Sequence, residues 1–254
     1  MFSFFKFITF NNMSAYNIIK VNATKSTNDK VKMLIKSKKI NNKDVISAKY
    51  QYKGKGQLSR RWFSSYGNNL LCSLYFEFTK DFKSPIYALN FATSLSVLKT
   101  VNFFSDEKGF IKWPNDILSE NRKVSGILIE NNFKSSDLSY SIIGTGINVN
   151  QTRFNNLKHA TSLKKISGKN IDLDEVLDQL LTNYATYFKR IHDIKYLSEE
   201  FNQNLYGKNK CRFLIKEEIF NGKVERVLHN GNLVAQIENI GSKEFKSSEI
   251  KIIY

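Results

Sequence analysis

The sequence predicts an α+β fold that ends in a small β module, and three observations carry that expectation. Apolar residues recur at helical spacing in two long stretches, 86–101 and 173–191, set among short apolar runs of strand length. Beyond Gly207 the texture changes to short β-like runs separated by Asn-Gly pairs. The chain has 254 residues with 41% hydrophobic content, enough to bury one substantial core and a small second one.

Taken in order, Ser26-Thr27-Asn28-Asp29 supplies a helix start, with a hydroxyl at the cap and a carboxylate three residues on. Val31, Leu34 and Ile35 then follow at helical spacing. Residues 44–50 read as a strand, 54–61 as a polar loop, and 70–78 as a strand apolar enough to be buried. Ala88, Phe91, Ala92, Leu95 and Leu98 place one apolar face on an amphipathic helix over 86–101. A short strand over 110–113 stops at Pro114, and two strands, 123–130 and 141–144, are expected to be joined by a turn through 131–137. Leu173, Val176, Leu177, Leu180, Leu181, Tyr184, Phe188 and Ile191 make the strongest helical stripe in the chain. The last runs, 211–216, 223–228, 233–237 and 250–254, predict a β-barrel of about 45–50 residues. Its two-residue hairpin turns are expected at Asn221-Gly222 and Asn230-Gly231.

Composition narrows the function classes. The formal charge of +16 invites a nucleic-acid reading, but 32 Lys against 7 Arg, scattered along the chain, looks like a general residue bias and not a footprint. A positive field still favours an acidic partner. Cys72 and Cys211 form no CxxC pair, which predicts neither a zinc knuckle nor a disulfide framework and points to a reducing interior. Cys72, within an apolar run, reads as a small core residue. His159, His192 and His229 have no partner at ligand spacing, so no metal site of protein side chains is expected. The Phe-rich residues 1–10 lack a leading charge and a cleavage site and are too short to span a bilayer; a start at Met13 or a docked strand is the plainer reading. No membrane association is expected.

Three stretches carry residue types that a core does not need. The loop from Tyr50 to Trp62 holds Gly54 and Gly56 among Lys53, Lys55, Arg60 and Arg61, a candidate anion-binding loop that fits neither the dinucleotide fingerprint nor the phosphate loop. Lys112-Trp113-Pro114-Asn115-Asp116 brings one of 2 Trp and one of 2 Pro together beside a Lys. Lys123-Val124-Ser125-Gly126-Ile127-Leu128-Ile129-Glu130 is answered by Ile143-Gly144-Thr145-Gly146-Ile147-Asn148, and glycines in strands suggest a ligand or a backbone pressed against the sheet.

In this order and spacing, the motifs from Ser26 to Asn148 resemble those of the biotin protein ligases, with a continuation through Ala160-Thr161-Ser162-Leu163. The resemblance implies a mixed central sheet with helices on one side, like the class II aminoacyl-tRNA synthetases, followed by an SH3-like barrel. It also implies a chemistry: biotin and ATP, with Mg2+, condense to biotinyl-5′-AMP, which passes to one lysine of the biotin carboxyl carrier protein of acetyl-CoA carboxylase. By the same resemblance Lys123 touches biotin carboxylate and phosphate, Lys55 stands for an Arg of the glycine loop, and Asp116 orients or deprotonates the incoming amine. Ser26, Thr27, Asn28, Gln51, Gly56 and Gln57 fall at the biotin end, with Gly54, Gly126, Gly144 and Gly146 letting main chain close over the ligand. Arg60, Trp62 and Asn148 fall near the nucleotide, Trp62 beside adenine, and Lys112 and Asn115 near phosphates and magnesium.

Departures are Lys55 and Gln57 where relatives carry Arg, since a lysine keeps the charge and loses the bidentate fork, and Arg226 where relatives have a small residue. The expected layout is an extension over 1–13, a catalytic domain over 14–206 and the barrel over 207–254. About 25 residues precede Ser26, too few for the DNA-binding helix-turn-helix of some relatives, so no DNA partner is expected. A cytoplasmic monomer or weak homodimer is the expected state. The competing readings are a lipoate or octanoate ligase or transferase, and a basic nucleic-acid-binding protein.

Overall fold

A computed structural model of the chain describes residues 16–79, 82, 84–155 and 157–253. The readings of residues 1–13 therefore lie outside the described residues. The main sheet has seven strands in the order β1-β2-β3-β7-β6-β5-β4: β1 (Asn17–Thr24), β2 (Asp44–Gln51), β3 (Asn69–Glu77), β4 (Phe110–Lys112), β5 (Asp116–Ser119), β6 (Arg122–Lys134) and β7 (Asp137–Asn148). Among the described strand pairs of this sheet, only β1 and β2 run parallel. A parallel pair needs a crossover, and α1 (Thr27–Lys36) supplies it.

Side chains alternate across the sheet. Val45, Leu74 and Ile143 enter the main core together with α2 (Ile86–Phe103), α4 (Leu173–Phe188) and α5 (Ile194–Gln203), while Ile46, Tyr75 and Ile142 pack with Val31, Leu34 and Ile35 of α1 on the other face. The expected cover of helices on one side thus describes α2, α4 and α5, with α1 opposite. A further short helix, α3 (Leu163–Ser167), follows the sheet.

Three expectations about elements are corrected. The helix over 86–101 is not one-faced: α2 is buried almost all round, because α4 and α5 cover the side that would otherwise meet water. Its buried hydroxyls turn inward on the helix, Ser96 donating to Ala92 O at 2.7 Å and Thr100 to Ser96 O at 2.8 Å. The turn over 131–137 is mostly strand, since β6 and β7 run on to Lys134 and from Asp137 and close at Ser135, whose φ is +58°. Asn221-Gly222 is not a hairpin turn. It lies inside β9 (Glu218–Val227), which turns from β8 (Cys211–Ile215) at Lys216 and Glu217, with φ of +46° and +72°. Gly222 is needed for another reason: a Cβ there would collide with Gln236 O on the neighbouring strand.

The C-terminal sheet is antiparallel, in the order β11-β10-β9-β8-β12, with β10 (Leu233–Ile237), β11 (Gly241–Phe245) and β12 (Lys251–Ile253). It fits the SH3-like expectation. Strands β1, β5 and β11 are additions to the expected set; β11 is polar and exposed along most of its length, so no apolar run announces it. Cys72 and Cys211 are free and buried. Among the described residues no helix is long and apolar enough to cross a membrane.

Candidate functional site

The site begins where α1 starts. Ser26 occupies the cap position, yet its hydroxyl makes no capping bond, which corrects the reading of Ser26 as a side-chain cap. The first helical N–H is taken instead by β2: Thr27 donates from its backbone N and from Oγ1 to Gln51 Oε1, at 2.7 and 3.1 Å. Ser73, from β3, holds Thr27 and Asn28 together, with Oγ at 2.7 Å from Thr27 Oγ1 and 2.5 Å from Asn28 Oδ1. Ser26, Thr27 and Asn28 are all buried.

A row of small residues crosses the sheet beside this cluster. Asp116 on β5 stands opposite Gly126 on β6, which stands opposite Gly146 on β7. With no side chains there, the Trp62 indole lies on both glycines: a Cβ on Gly146 would be 2.6 Å from Trp62 Cε2, and one on Gly126 would be 2.9 Å from Cζ3. The Lys123 chain crosses the same shelf, its Cε 3.2 Å from the Gly126 position. Its Nζ pairs with Asp116 Oδ1 at 2.6 Å and stands 5.5 Å from the Trp62 ring centre. Lys123, Gly126 and Gly146 therefore face one space. Trp62 Nε1 is buried there with no hydrogen-bond acceptor.

The glycine loop closes over the row as a narrow hairpin. Trp62 N donates to Gly54 O at 3.0 Å and Gly56 N to Arg60 O at 2.7 Å, with Gln57 opening the short 3-10 turn at the tip. Gly54 permits this approach, since a Cβ there would stand 2.5 Å from Trp62 O and 3.2 Å from Gln51 Nε2. Lys55 ties the loop to α1 through Asp29 Oδ1 at 2.6 Å, leaving Asp29 Oδ2 buried without a hydrogen bond.

Lys112 ends β4 directly across from Asp116 and is 6% exposed. Burial lowers its pKa to about 8; Lys123, Lys251 and Arg60 push in the same direction, and Asp116 opposes them. Lys112 thus shares one neighbourhood with three other cations and a single named carboxylate. Asn115 is spent partly on the fold, its Nδ2 donating to Ile127 O at 2.6 Å.

Other candidates sit behind the shelf. Gly144 packs against Asn28, whose Oδ1 occupies the space a Cβ would need, so its missing side chain makes room for α1. Asn148 donates to Thr161 O at 2.9 Å, and Thr161 N donates to Lys123 O at 2.9 Å, so Asn148 is linked to the backbone of Lys123. Asp29, Ser73 and Glu130 join the site without having been expected in it. Glu130 left a signal as the last residue of the motif that begins at Lys123, and Asp29 as the carboxylate of the helix start at Ser26.

A family model described as the biotin/lipoate A/B protein ligase family matches residues 21–148. Over 110 residues the chain is 33% identical to the bifunctional ligase/repressor BirA of Escherichia coli (strain K12), covering 43% of this chain and 34% of that one. Over 223 residues it is 31% identical to the bifunctional ligase/repressor BirA of Bacillus subtilis (strain 168), covering 82% and 66%. The chain thus spans about a third of the first relative and about two thirds of the second. Among solved structures, it matches the biotin protein ligase from Aquifex aeolicus in complex with biotin and ATP at a TM-score of 0.78 and 27% identity, covering 93% of this chain and 98% of that one.

Proposed function

The chain belongs to the biotin/lipoate A/B protein ligase family, and we propose that it is a biotin protein ligase, joining biotin to a lysine of a biotin carboxyl carrier protein through biotinyl-5′-AMP. The observation that carries this reading is the shelf of Gly126 and Gly146, with Trp62 lying on it and the Lys123–Asp116 pair at its edge. The reaction asks for such a place. A carboxylate must approach the α-phosphate of ATP, and the two anions repel until fixed cations offset them.

Lys123 meets both groups as the biotin carboxylate oxygen bonds to the α-phosphorus and pyrophosphate leaves. Lys112 and Arg60 hold phosphate charge, Asn115 and Asn148 stand on the nucleotide side, and Trp62 lies beside adenine. Ser26, Thr27 and Gln51 read the ureido ring of biotin, with Asn28 beneath them, while Lys55, Gly56 and Gln57 cover it from the loop. In the second step Asp116 orients the carrier amine and takes its proton; nitrogen attacks the acyl carbon, and AMP departs. No protein nucleophile is needed.

Magnesium, when bound with ATP, would be held largely by the nucleotide's phosphate oxygens and water, with Lys112 and Asn115 nearby, and would offset phosphate charge; Mg2+ keeps several waters and takes one or two protein carboxylates at most. Among the described residues no group of three His, Cys, Asp or Glu stands ready for a metal ion. ATP–pyrophosphate exchange with biotin, lipoate and octanoate compared side by side tests the proposal. Exchange selective for biotin is the expected result. Selectivity for lipoate or octanoate moves the chain to the other branch of its family, and no exchange with any acid overturns the ligase reading.

A further inference from the structure

Glu130 closes the motif that Lys123 opens, and the reaction above gives it nothing to do. Its carboxylate reaches α1, where Oε2 accepts from Asn28 Nδ2 at 2.8 Å and Oε1 accepts from Lys32 Nζ at 2.6 Å. Asn28 is 2% exposed, and its amide is held at the other end by Ser73. Both ends of that amide are spent on protein. The Ser73 hydroxyl also holds Thr27, and Thr27 fixes Gln51 by taking its Oε1.

The direction of the Asn28 amide follows from Glu130. An ionised carboxylate only accepts hydrogen bonds, so it admits the NH2 end of Asn28 and refuses the carbonyl. A flipped Asn28 would set its carbonyl against the carboxylate and turn its NH2 toward Ser73 and Gly144. In the orientation observed, Oδ1 faces Ser73, Thr27 stays in place, and Gln51 keeps its NH2 on the side of Gly54, within 3.2 Å of where a Cβ of that glycine would stand.

We infer that Glu130 is a positioning residue: it orients Asn28 and, through Ser73, holds Thr27 and Gln51 in the arrangement that reads a small planar ring carrying both donors and an acceptor. For its kinetic arm the inference rests on the biotin-ligase reading. Exchange measured on the full chain should show Glu130→Ala raising the KM for biotin about tenfold, the loss expected for one hydrogen bond to a charged group, with the KM for ATP and kcat within about twofold of wild type. Glu130→Gln, whose carbonyl still accepts from Asn28, should restore most of the biotin KM. Lys32→Met should leave it unchanged, because the Asn28 bond does not depend on it. A wild-type biotin KM in Glu130→Ala, equal rises in both KM values, or no rescue by Gln each overturn the assignment.

A second readout needs no turnover. In the 15N-labelled chain, one Asn28 side-chain amide proton should be protected from exchange in wild type and lose that protection in Glu130→Ala. If wild type shows no biotin-dependent exchange, the functional reading fails by itself, and the Asn28 signals still decide the positioning role: signals unchanged in Glu130→Ala overturn it.

Discussion

Lys112 is the residue whose charge the fold constrains most visibly. Burial, helped by Lys123, Lys251 and Arg60, brings its pKa down from 10.5 to about 8. Below about 8 the side chain is charged in the folded and unfolded chain alike, and its burial cost is fully present. Between about 8 and 10.5 the unfolded chain holds a proton that the folded chain does not, so this group makes stability rise with pH across that window. Lys112→Met should therefore raise Tm at pH 7, with the gain fading toward pH 10. Activity has the opposite sign: the charge that meets phosphate is lost as pH rises through about 8, so kcat/KM for ATP should fall there in wild type and lack that fall in Lys112→Met. A flat wild-type profile counts against phosphate contact. Lys123→Ala removes the cation shared by the two reacting anions, and adenylate formation should drop by about 10²–10³-fold with the fold retained in circular dichroism. Near-normal pyrophosphate release would remove Lys123 from that role.

At the scale of elements, the glycine loop and the β9 strand show what a sequence can and cannot announce. The loop, the Lys-Trp-Pro-Asn-Asp turn and the two glycine strands were legible because each carries residues that packing alone does not require. Gly144 was legible as unusual but not as a partner of Asn28, since that contact joins residues 116 positions apart. The same limit misplaced the hairpin: Asn-Gly favours a turn locally, but at Gly222 the demand comes from Gln236 O across the strand pair, and Lys216 and Glu217 take the turn with positive φ. Gly222→Ala should thus cost about 1–3 kcal/mol in urea unfolding, the usual penalty of forced overpacking, whereas a turn glycine would cost little when its φ is ordinary. The loop's latch is half-made. Lys55 reaches Asp29 Oδ1 and leaves Oδ2 buried and unpaired, and an Arg fork could serve both oxygens. Lys55→Arg should slow protease cleavage between residues 54 and 62 by about two- to fivefold, a small effect because the pair is partly exposed. Unchanged cleavage would show that the pair does not limit loop opening.

For the whole molecule, the question is whether the two sheets behave as one body or two. Sequence texture changes beyond Gly207 and suggests separable units, but the buried core does not divide there. Phe213, Val224, Leu233 and Ile252 of the C-terminal sheet belong to the same continuous core as Phe91, Leu95 and Ile143. Helix α5 joins the parts: Phe201 packs on Phe91 with ring centres 4.6 Å apart, and Asn202 exchanges two hydrogen bonds with Val227, at 3.0 and 2.7 Å. Tyr206 N bonds Ile111 O at 2.9 Å, and Trp113 Nε1 donates to Gly231 O at 3.0 Å. That last bond connects the turn bearing Asn115 and Asp116 to the second sheet, so loosening the sheet disturbs the site. Such continuity predicts one cooperative transition, with calorimetric and van't Hoff enthalpies equal within error. Trp113→Phe keeps the apolar ring and removes the donor, leaving a buried carbonyl unpaired at a cost of about 1–3 kcal/mol. The single endotherm should move down in temperature without splitting. Two resolved endotherms in wild type, or a Trp113→Phe variant that loses only the lower of two, would mean that the sheets fold independently and that the shared core is contact without cooperativity.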